Sequence, residues 1–259
     1  MSASSPSSPS SPPPSSPSSS PPAAGPPAQP SPARRFKDAA YAELAEVGKA
    51  LASPARLEIV ELLAQAPRSV ERLAVELGQS VANTSHHLQA LKRAHLVRAR
   101  REGLHVVYAL AGDDVAQLLV HLHAVAAQRS AELDRLSRAF FDDPAGLEPI
   151  DRDTLRERLR LGEVVLLDVR PAQEFAAGHL PGARSAPLAE LEAMFASPAL
   201  AEGPSPVEGL PRDRTIVAYC RGPFCALSAE AARRLRALGY DARRTDASVH
   251  SFGADGWPA

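Results

Sequence analysis

Residues 69–110 read SVERLAVELGQSVANTSHHLQALKRAHLVRARREGLHVVYAL, and the apolar period changes once along them. Leu73 and Leu77 lie on one helical face behind Ser69, whose short side-chain oxygen suits a helix start. Gly78 fits the left-handed turn that ends such a helix. After Gly78-Gln79, Ser80 caps a second helix running to about Ala94, with Val81, Leu88 and Leu91 inward. The pattern then alternates. Val97, Ala99 and Arg101 oppose Arg98 and Arg100, Glu102-Gly103 makes a turn, and Leu104 to Leu110 favours a strand through Val106, Val107 and Tyr108. That is a basic β-hairpin.

The flanks extend this into a domain. Upstream, Phe36 to Leu51 reads as a helix with Tyr41, Leu44, Val47 and Leu51 on one stripe. Ser53-Pro54 restarts the chain, because Pro is tolerated at the first helical position. Leu57, Val60, Leu63 and Ala64 then carry an apolar face until Pro67. Downstream, Asp113 or Asp114 caps a long helix, apolar at Val115, Leu118, Leu119, Leu122, Val125, Ala126, Leu133 and Leu136. The run Asp142-Asp143-Pro144-Ala145-Gly146 breaks it. Helix, tight turn, helix and basic hairpin is the layout of a winged helix-turn-helix, in which a helix enters the DNA major groove and presents donors and acceptors to base edges. An angular count places Ala82, Asn83, His86, Gln89, Ala90 and Arg93 opposite the core stripe, with Ser85 on the flank. The DNA-contacting set expected is Asn83, Ser85, His86, Gln89, Arg93, Arg100 and Arg101. Lys92, Arg93, Arg98, Arg100 and Arg101 face only Glu102 in this stretch, which gives the local patch that phosphate attraction requires.

Composition bounds the rest. The chain has 259 residues and a formal net charge of −1. Residues 1–32 contain 13 Ser and 12 Pro and no charge, so residues 1–34 are expected to be a disordered tail. No apolar run approaches the ~18 residues of a membrane span, and a basic segment leading into an apolar one is missing at the start. With two cysteines, Cys220 and Cys225, a disulfide scaffold is excluded, and a reduced, cytoplasmic protein is the expectation. The remainder divides into residues 35–141, a linker over 142–149, and residues 150–259.

The second of these has a different pattern. A helix is expected near Thr154–Leu161. Val164-Val165-Leu166-Leu167 is a continuous apolar run ending at Asp168, and Thr215 to Tyr219 is another ending at Cys220. Such runs suit buried parallel strands. A helix from Leu227 to Leu238 and a further strand over Ala242–Thr245 complete an α/β reading. Residues 196–211 hold four prolines and two glycines and read as loop. A cysteine at the end of a parallel strand, entering a helix through a tight loop, meets free backbone N–H groups that favour an anion. Cys220 is therefore expected to ionise readily with Arg221 beside it, to attack a sulfane sulfur and to carry a persulfide. Gly222, Phe224 and Cys225 complete the loop, with Cys225 placed to resolve the persulfide. Asp168, Arg170, Glu174 and His179 are expected to tie the strand end to its neighbouring loops.

Two resemblances sharpen this reading. LASPARLEIVELL together with VERLAVELGQSVANTSHHLQALKRAHLVRARREGLHVVYAL resembles the ArsR-type repressor family over nearly all of residues 40–125. It implies a symmetric homodimer, with the first and last helices at the interface, on a palindromic double-stranded operator. That family often senses metals. Its two-thiol site would fall on Arg68-Ser69-Val70-Glu71-Arg72, which has no cysteine, and Asp114 is followed by Val115 and Ala116 rather than by histidine. His121 and His123 point to different helix faces, so no metal and no other cofactor is expected. LDVRPAQEFAAGHLPGA (167–183) and YCRGPFC (219–225) look like a rhodanese domain over residues 150–257. The related phosphatase loop has an arginine where this chain has Ala226, which disfavours phosphoryl chemistry. Pro223, Phe224 and Cys225 depart from the polar loops of sulfurtransferases, and Ala247-Ser248 and Phe252 stand where the family has Gly-Gly and Trp. The fold expected is thus a mostly-α winged helix-turn-helix followed by an α/β rhodanese-like parallel sheet. One reading is a regulator, a repressor by resemblance, that senses or carries reactive sulfur or a thiosulfate-like anion. Another is a sulfurtransferase whose helical domain dimerises. A third is a plain repressor with a vestigial second domain.

Overall fold

The computed structural model describes residues 30–141, 149–196 and 207–251. Most of the tail, the linker and the Pro-rich loop, together with Phe252, lies outside the described residues. Helix α1 (Pro32–Leu51) begins earlier than its apolar stripe indicates, with Pro32 in the first turn, where no backbone donor is needed. In α2 (Pro54–Gln65), Ser53 makes no side-chain cap. Its carbonyl instead accepts from the N–H groups of Arg56 and Leu57. Arg68–Ser69 form a short strand, β1, at the break expected between two helices. The caps of α3 (Val70–Glu76) and α4 (Val81–Arg93) are as expected. Ser69 and Ser80 Oγ accept from the N–H groups of Arg72 and Asn83, each at 3.2 Å. Gly78 takes the left-handed φ of 62° between them.

Strands β2 (Val97–Glu102) and β3 (His105–Leu110) pair antiparallel, Glu102 opposite His105. The hairpin turn is therefore Gly103-Leu104 rather than Glu102-Gly103, and Gly103 takes a φ of 60°. β1 pairs with β3 to give the order β1-β3-β2. Ile59 and Leu63 from α2, Leu73 from α3, Leu88 and Leu91 from α4, Tyr108 from β3 and Leu119 form one core with α5 (Asp113–Arg129). Val81, expected inward, is exposed on the first turn of α4. The long last helix is two helices. Ser130 is extended, and its Oγ accepts from Leu133 N–H at 3.1 Å, capping α6 (Ala131–Phe141). Neither Asp113 nor Asp114 is the N-cap of α5, a place held by an extended Gly112.

The second region follows the α/β expectation. Its elements are α7 (Arg152–Arg160), β4 (Val164–Asp168), α8 (Ala172–Ala177), β5 (Arg184–Ser185), α9 (Leu188–Ala196), β6 (Thr215–Tyr219), α10 (Leu227–Ala237) and β7 (Ala242–Arg244). The sheet order is β5-β4-β6-β7 and every pairing is parallel. Successive side chains of a strand face opposite sides. Leu167, Ile216 and Ala218 thus pack with Leu191 and Leu235 on one face, while Leu166, Val217 and Tyr219 meet Leu155 of α7 on the other. Both faces are covered, which explains the unbroken apolar runs. The carboxyl ends of β4 and β6 lie side by side, Asp168 opposite Tyr219, where open α/β sheets present their sites.

Candidate functional site

Two surfaces carry chemistry. The first is α4 with the hairpin. Leu88 and Leu91 are fully buried and fix the roll of the helix. Thr84 is buried as well, its hydroxyl donating to the Ser80 carbonyl at 3.0 Å. That roll leaves Asn83, His86, Gln89, Lys92 and Arg93 exposed and Ser85 half-buried. Asn83 donates to Gln79 Oε1 at 2.9 Å, and Gln89 donates to the Tyr108 hydroxyl at 3.3 Å. Both polar groups are oriented rather than loose. In the hairpin, Arg98, Arg100 and Arg101 are exposed. Arg100 pairs with Glu102, and Arg101 donates to the Gly103 carbonyl at 3.2 Å. The seven residues expected at DNA therefore lie on one helix and its neighbouring hairpin.

The second surface is the loop between β6 and α10. Here the two thiols differ in burial. Cys220 is 1 % exposed and belongs to the core layer beneath α10. Its Sγ lies 3.3 Å from Ser228 Oγ and 3.4 Å from the Cys225 carbonyl. Burial, followed by hydrogen bonding to Cys225, pushes this thiol well above its ordinary range. Cys225 is partly exposed, and its sulfur receives the hydrogen bond of Cys220 and the N–H groups of Arg221 and Leu227. These outweigh its own burial and bring it to about 7. The anion-favouring cradle foreseen for Cys220 thus serves Cys225, because Cys220 at the strand end points into the sheet layer.

Arg221 is not free to bind an incoming anion. Its guanidinium meets Glu174 at 2.6 Å and lies 3.6 Å from Glu76 of α3. Glu174 is buried and takes a second cation, Arg68 of β1, which also reaches Glu76. Two arginines and two carboxylates therefore join the loop and α8 to the helix-turn-helix. Arg170 is clamped on Asp168, which also accepts from the Tyr219 hydroxyl at 2.5 Å, and Arg170 donates to Gln65 of α2 at 2.7 Å. His250 is hydrogen-bonded to the Ala64 carbonyl at 2.6 Å, and Gln117 of α5 donates to the His250 carbonyl at 2.8 Å. Phe224 meets His123 of α5 edge-on with ring centroids 5.0 Å apart.

Asp168 and Arg170 tie the strand end as expected. Glu174 does more, because it joins two regions. His179 stacks on Phe175 instead of engaging a charge. Sequence reasoning missed Arg68, Gln65, Glu76 and His250, whose partners lie far away in the chain. Arg68 also bears on the metal question. It lies in the stretch where the resemblance would put two thiols, and it is paired with Glu174. Among the described residues, no three His, Cys, Asp or Glu side chains gather as a metal site.

Comparison with known proteins agrees with this division. Residues 53–99 match the family model "Bacterial regulatory protein, arsR family", and residues 151–258 match "Rhodanese-like domain". The HTH-type transcriptional regulator Rv0324 of Mycobacterium tuberculosis is 40% identical over 222 residues, 86% of this chain and 92% of that protein. The uncharacterized HTH-type transcriptional regulator Rv0081 of the same organism is 43% identical over 89 residues, 34% of this chain and 78% of its own length. The solution structure of the homodimeric winged helix-turn-helix DNA-binding domain (fragment 1–100) of Mb0332 from Mycobacterium bovis shares 45% identity. It covers 37% of this chain and 89% of its own, with a TM-score of 0.35. Both family models match, and the likeness to Rv0324 runs through nearly the whole of each chain. The chain belongs to the arsR family of bacterial regulatory proteins, in the form that carries a C-terminal rhodanese-like domain.

Proposed function

We propose that this protein is a DNA-binding transcriptional regulator, a repressor, whose rhodanese-like loop takes up reactive sulfur. The observation that carries the reading is the position of Arg221. It sits between the two cysteines and a carboxylate of α3, so the reactive loop and the helix-turn-helix share charges. The exposed polar and cationic face of α4 and the hairpin supports the DNA side. Leu118, Leu122 and Val125 form an exposed apolar stripe on α5, which suits the homodimer that a palindromic operator requires. Among the described residues no helix is long and apolar enough to cross a membrane. A DNA-binding role places the protein in the cytoplasm.

The sulfur chemistry runs through Cys225 first. Its thiolate attacks the outer sulfur of a persulfide or polysulfide. A new S–S bond forms, the donor's own S–S bond breaks, and the donor leaves as the shorter thiolate. Cys220 then attacks the Cys225 sulfur. The two residues join as a disulfide, and the outer sulfur leaves with the Cys220 proton and its own as hydrogen sulfide. Burial of Arg221 against Glu174 and Glu76 argues against efficient turnover of a free anionic donor such as thiosulfate. That favours the sensing reading over the sulfurtransferase.

The test is fluorescence anisotropy on the operator, with and without polysulfide, for wild type, Cys220→Ser and Cys225→Ser. Wild type should release DNA and Cys225→Ser should not respond. A wild-type affinity that polysulfide leaves constant while mass spectrometry shows sulfur on the loop would end the sensing reading.

A further inference from the structure

Helices α2 and α5, the sulfur loop and the segment around His250 enclose a cavity of about 240 Å³. Its walls are mainly apolar, with Ala64, Ala116, Leu119, Val120, Ala124 and Pro223 among them. A dry apolar cavity of roughly 150 Å³ already admits benzene, so this one has room for a bicyclic ring.

Most polar side chains of the wall already have a partner. Arg221 is held by Glu174 and Glu76. Gln65 accepts from Arg170 and donates to the Glu61 carbonyl oxygen. His250 bonds to the Ala64 carbonyl, Asp246 pairs with Arg244, and the His123 ring lies against Phe224. Glu61 differs. It is half-buried and lines the cavity, and no hydrogen bond or ion pair from another described residue reaches its carboxylate. Its Oε1 lies 3.7 Å from where a side chain on Gly222 would begin, so it faces the loop across the cavity. Burial raises this carboxyl above its ordinary range, and the neighbouring Glu58 and Glu174 add to the rise against the opposing pull of Arg221.

We propose that this cavity is a binding site for a small amphipathic amine, with an apolar body of bicyclic size against α2 and α5 and an ammonium paired with Glu61. An ammonium supplies the donors that the carboxylate lacks. An anionic ligand of the same shape would meet Glu61 with like charge. Neither cysteine lines the cavity, although Arg221, Gly222 and Pro223 of their loop do, and the inference needs neither the sulfur chemistry nor DNA binding to hold.

Isothermal titration calorimetry on the full chain tests it with three isosteric probes: tryptamine, the neutral indole-3-ethanol and indole-3-acetate. Tryptamine should bind tightest and indole-3-acetate weakest. Glu61→Gln keeps the side-chain shape and should weaken tryptamine by about tenfold or more, the worth of a charged hydrogen bond, while indole-3-ethanol changes little. Ala64→Phe, checked for an unchanged circular dichroism spectrum, should fill the space and abolish binding of all three. Binding of none of the probes to wild type would overturn the proposal. So would a tryptamine affinity that Glu61→Gln leaves unchanged, or indole-3-acetate binding as tightly as tryptamine.

Discussion

Glu174 is 1 % exposed and lies between two guanidiniums, Arg68 and Arg221. A buried carboxylate in such a place is held by its partners, and they by it. Glu174→Gln keeps the shape and removes the charge, leaving the buried Arg68 and the half-buried Arg221 with Glu76 as their one carboxylate partner. Removing one member of a buried ion pair costs about 3–5 kcal/mol, so the urea midpoint of Glu174→Gln should fall accordingly. A shift within the noise of a surface substitution would mean that water already screens the cluster. The thiols make a second residue-scale case. Cys225 is drawn down to about 7, so half of it is thiolate near that pH. Labelling by iodoacetamide, followed by peptide mass spectrometry, should modify Cys225 well before the buried Cys220. The Cys225 rate should fall about tenfold per pH unit below that midpoint, because the thiolate is the nucleophile. Labelling of Cys220 first would restore the order that its place at the strand end suggests.

Helix α4 and the hairpin were legible because each announces itself locally. Ser80 caps, Leu88 and Leu91 keep a helical period, and alternation begins at Val97. The two parallel strands β4 and β6 were legible for the same reason, as apolar runs ending at Asp168 and Cys220. The two-residue strands β1 and β5 were not, since two residues carry no period and their pairing is decided by β3 and β4. The break at Ser130 escaped because apolar spacing continues across it while the backbone does not. At the site, the cysteine loop and its arginine could be read from the sequence. The burial of Cys220 could not, because it is a property of packing. The Arg68–Glu174 contact joins residues 106 apart with no local signal at either end. The legible part yields its own prediction. His86→Ala removes an exposed side chain of α4 and should lower operator affinity by about 1–3 kcal/mol if it reads a base, with non-specific binding unchanged. Arg101→Ala in the hairpin should weaken all sequences alike and flatten the salt slope by about one unit. Anisotropy over a salt series separates the two. Equal losses from both variants on every sequence would remove α4 as the reading helix.

For the whole molecule, what matters is how a change in the loop reaches the DNA face. A ligand or modification shifts an equilibrium only through a difference between two states. Glu76 is the residue that makes such a difference available. It belongs to α3, which packs against α4, and it faces Arg68, Arg72 and, at 3.6 Å, Arg221. A disulfide between Cys225 and Cys220 removes the thiolate charge beside Arg221 and redraws the loop. On the proposed function, the balance of Arg221 between Glu174 and Glu76 should then change, with α3 responding through Glu76. Glu76→Gln should cut this route while leaving both cysteines intact. Couplings between sites are typically about 1–3 kcal/mol, so polysulfide should change wild-type operator affinity by about tenfold. In Glu76→Gln the change should be less than about twofold, although mass spectrometry finds the same sulfur uptake on the loop. Untreated Glu76→Gln should still bind the operator, since Glu76 lies off the exposed face of α4. If the variant responds to polysulfide as fully as wild type, the loop speaks to the DNA face by another path. The remaining contacts, Gln65 with Arg170 and Phe224 with His123, are then the next to cut.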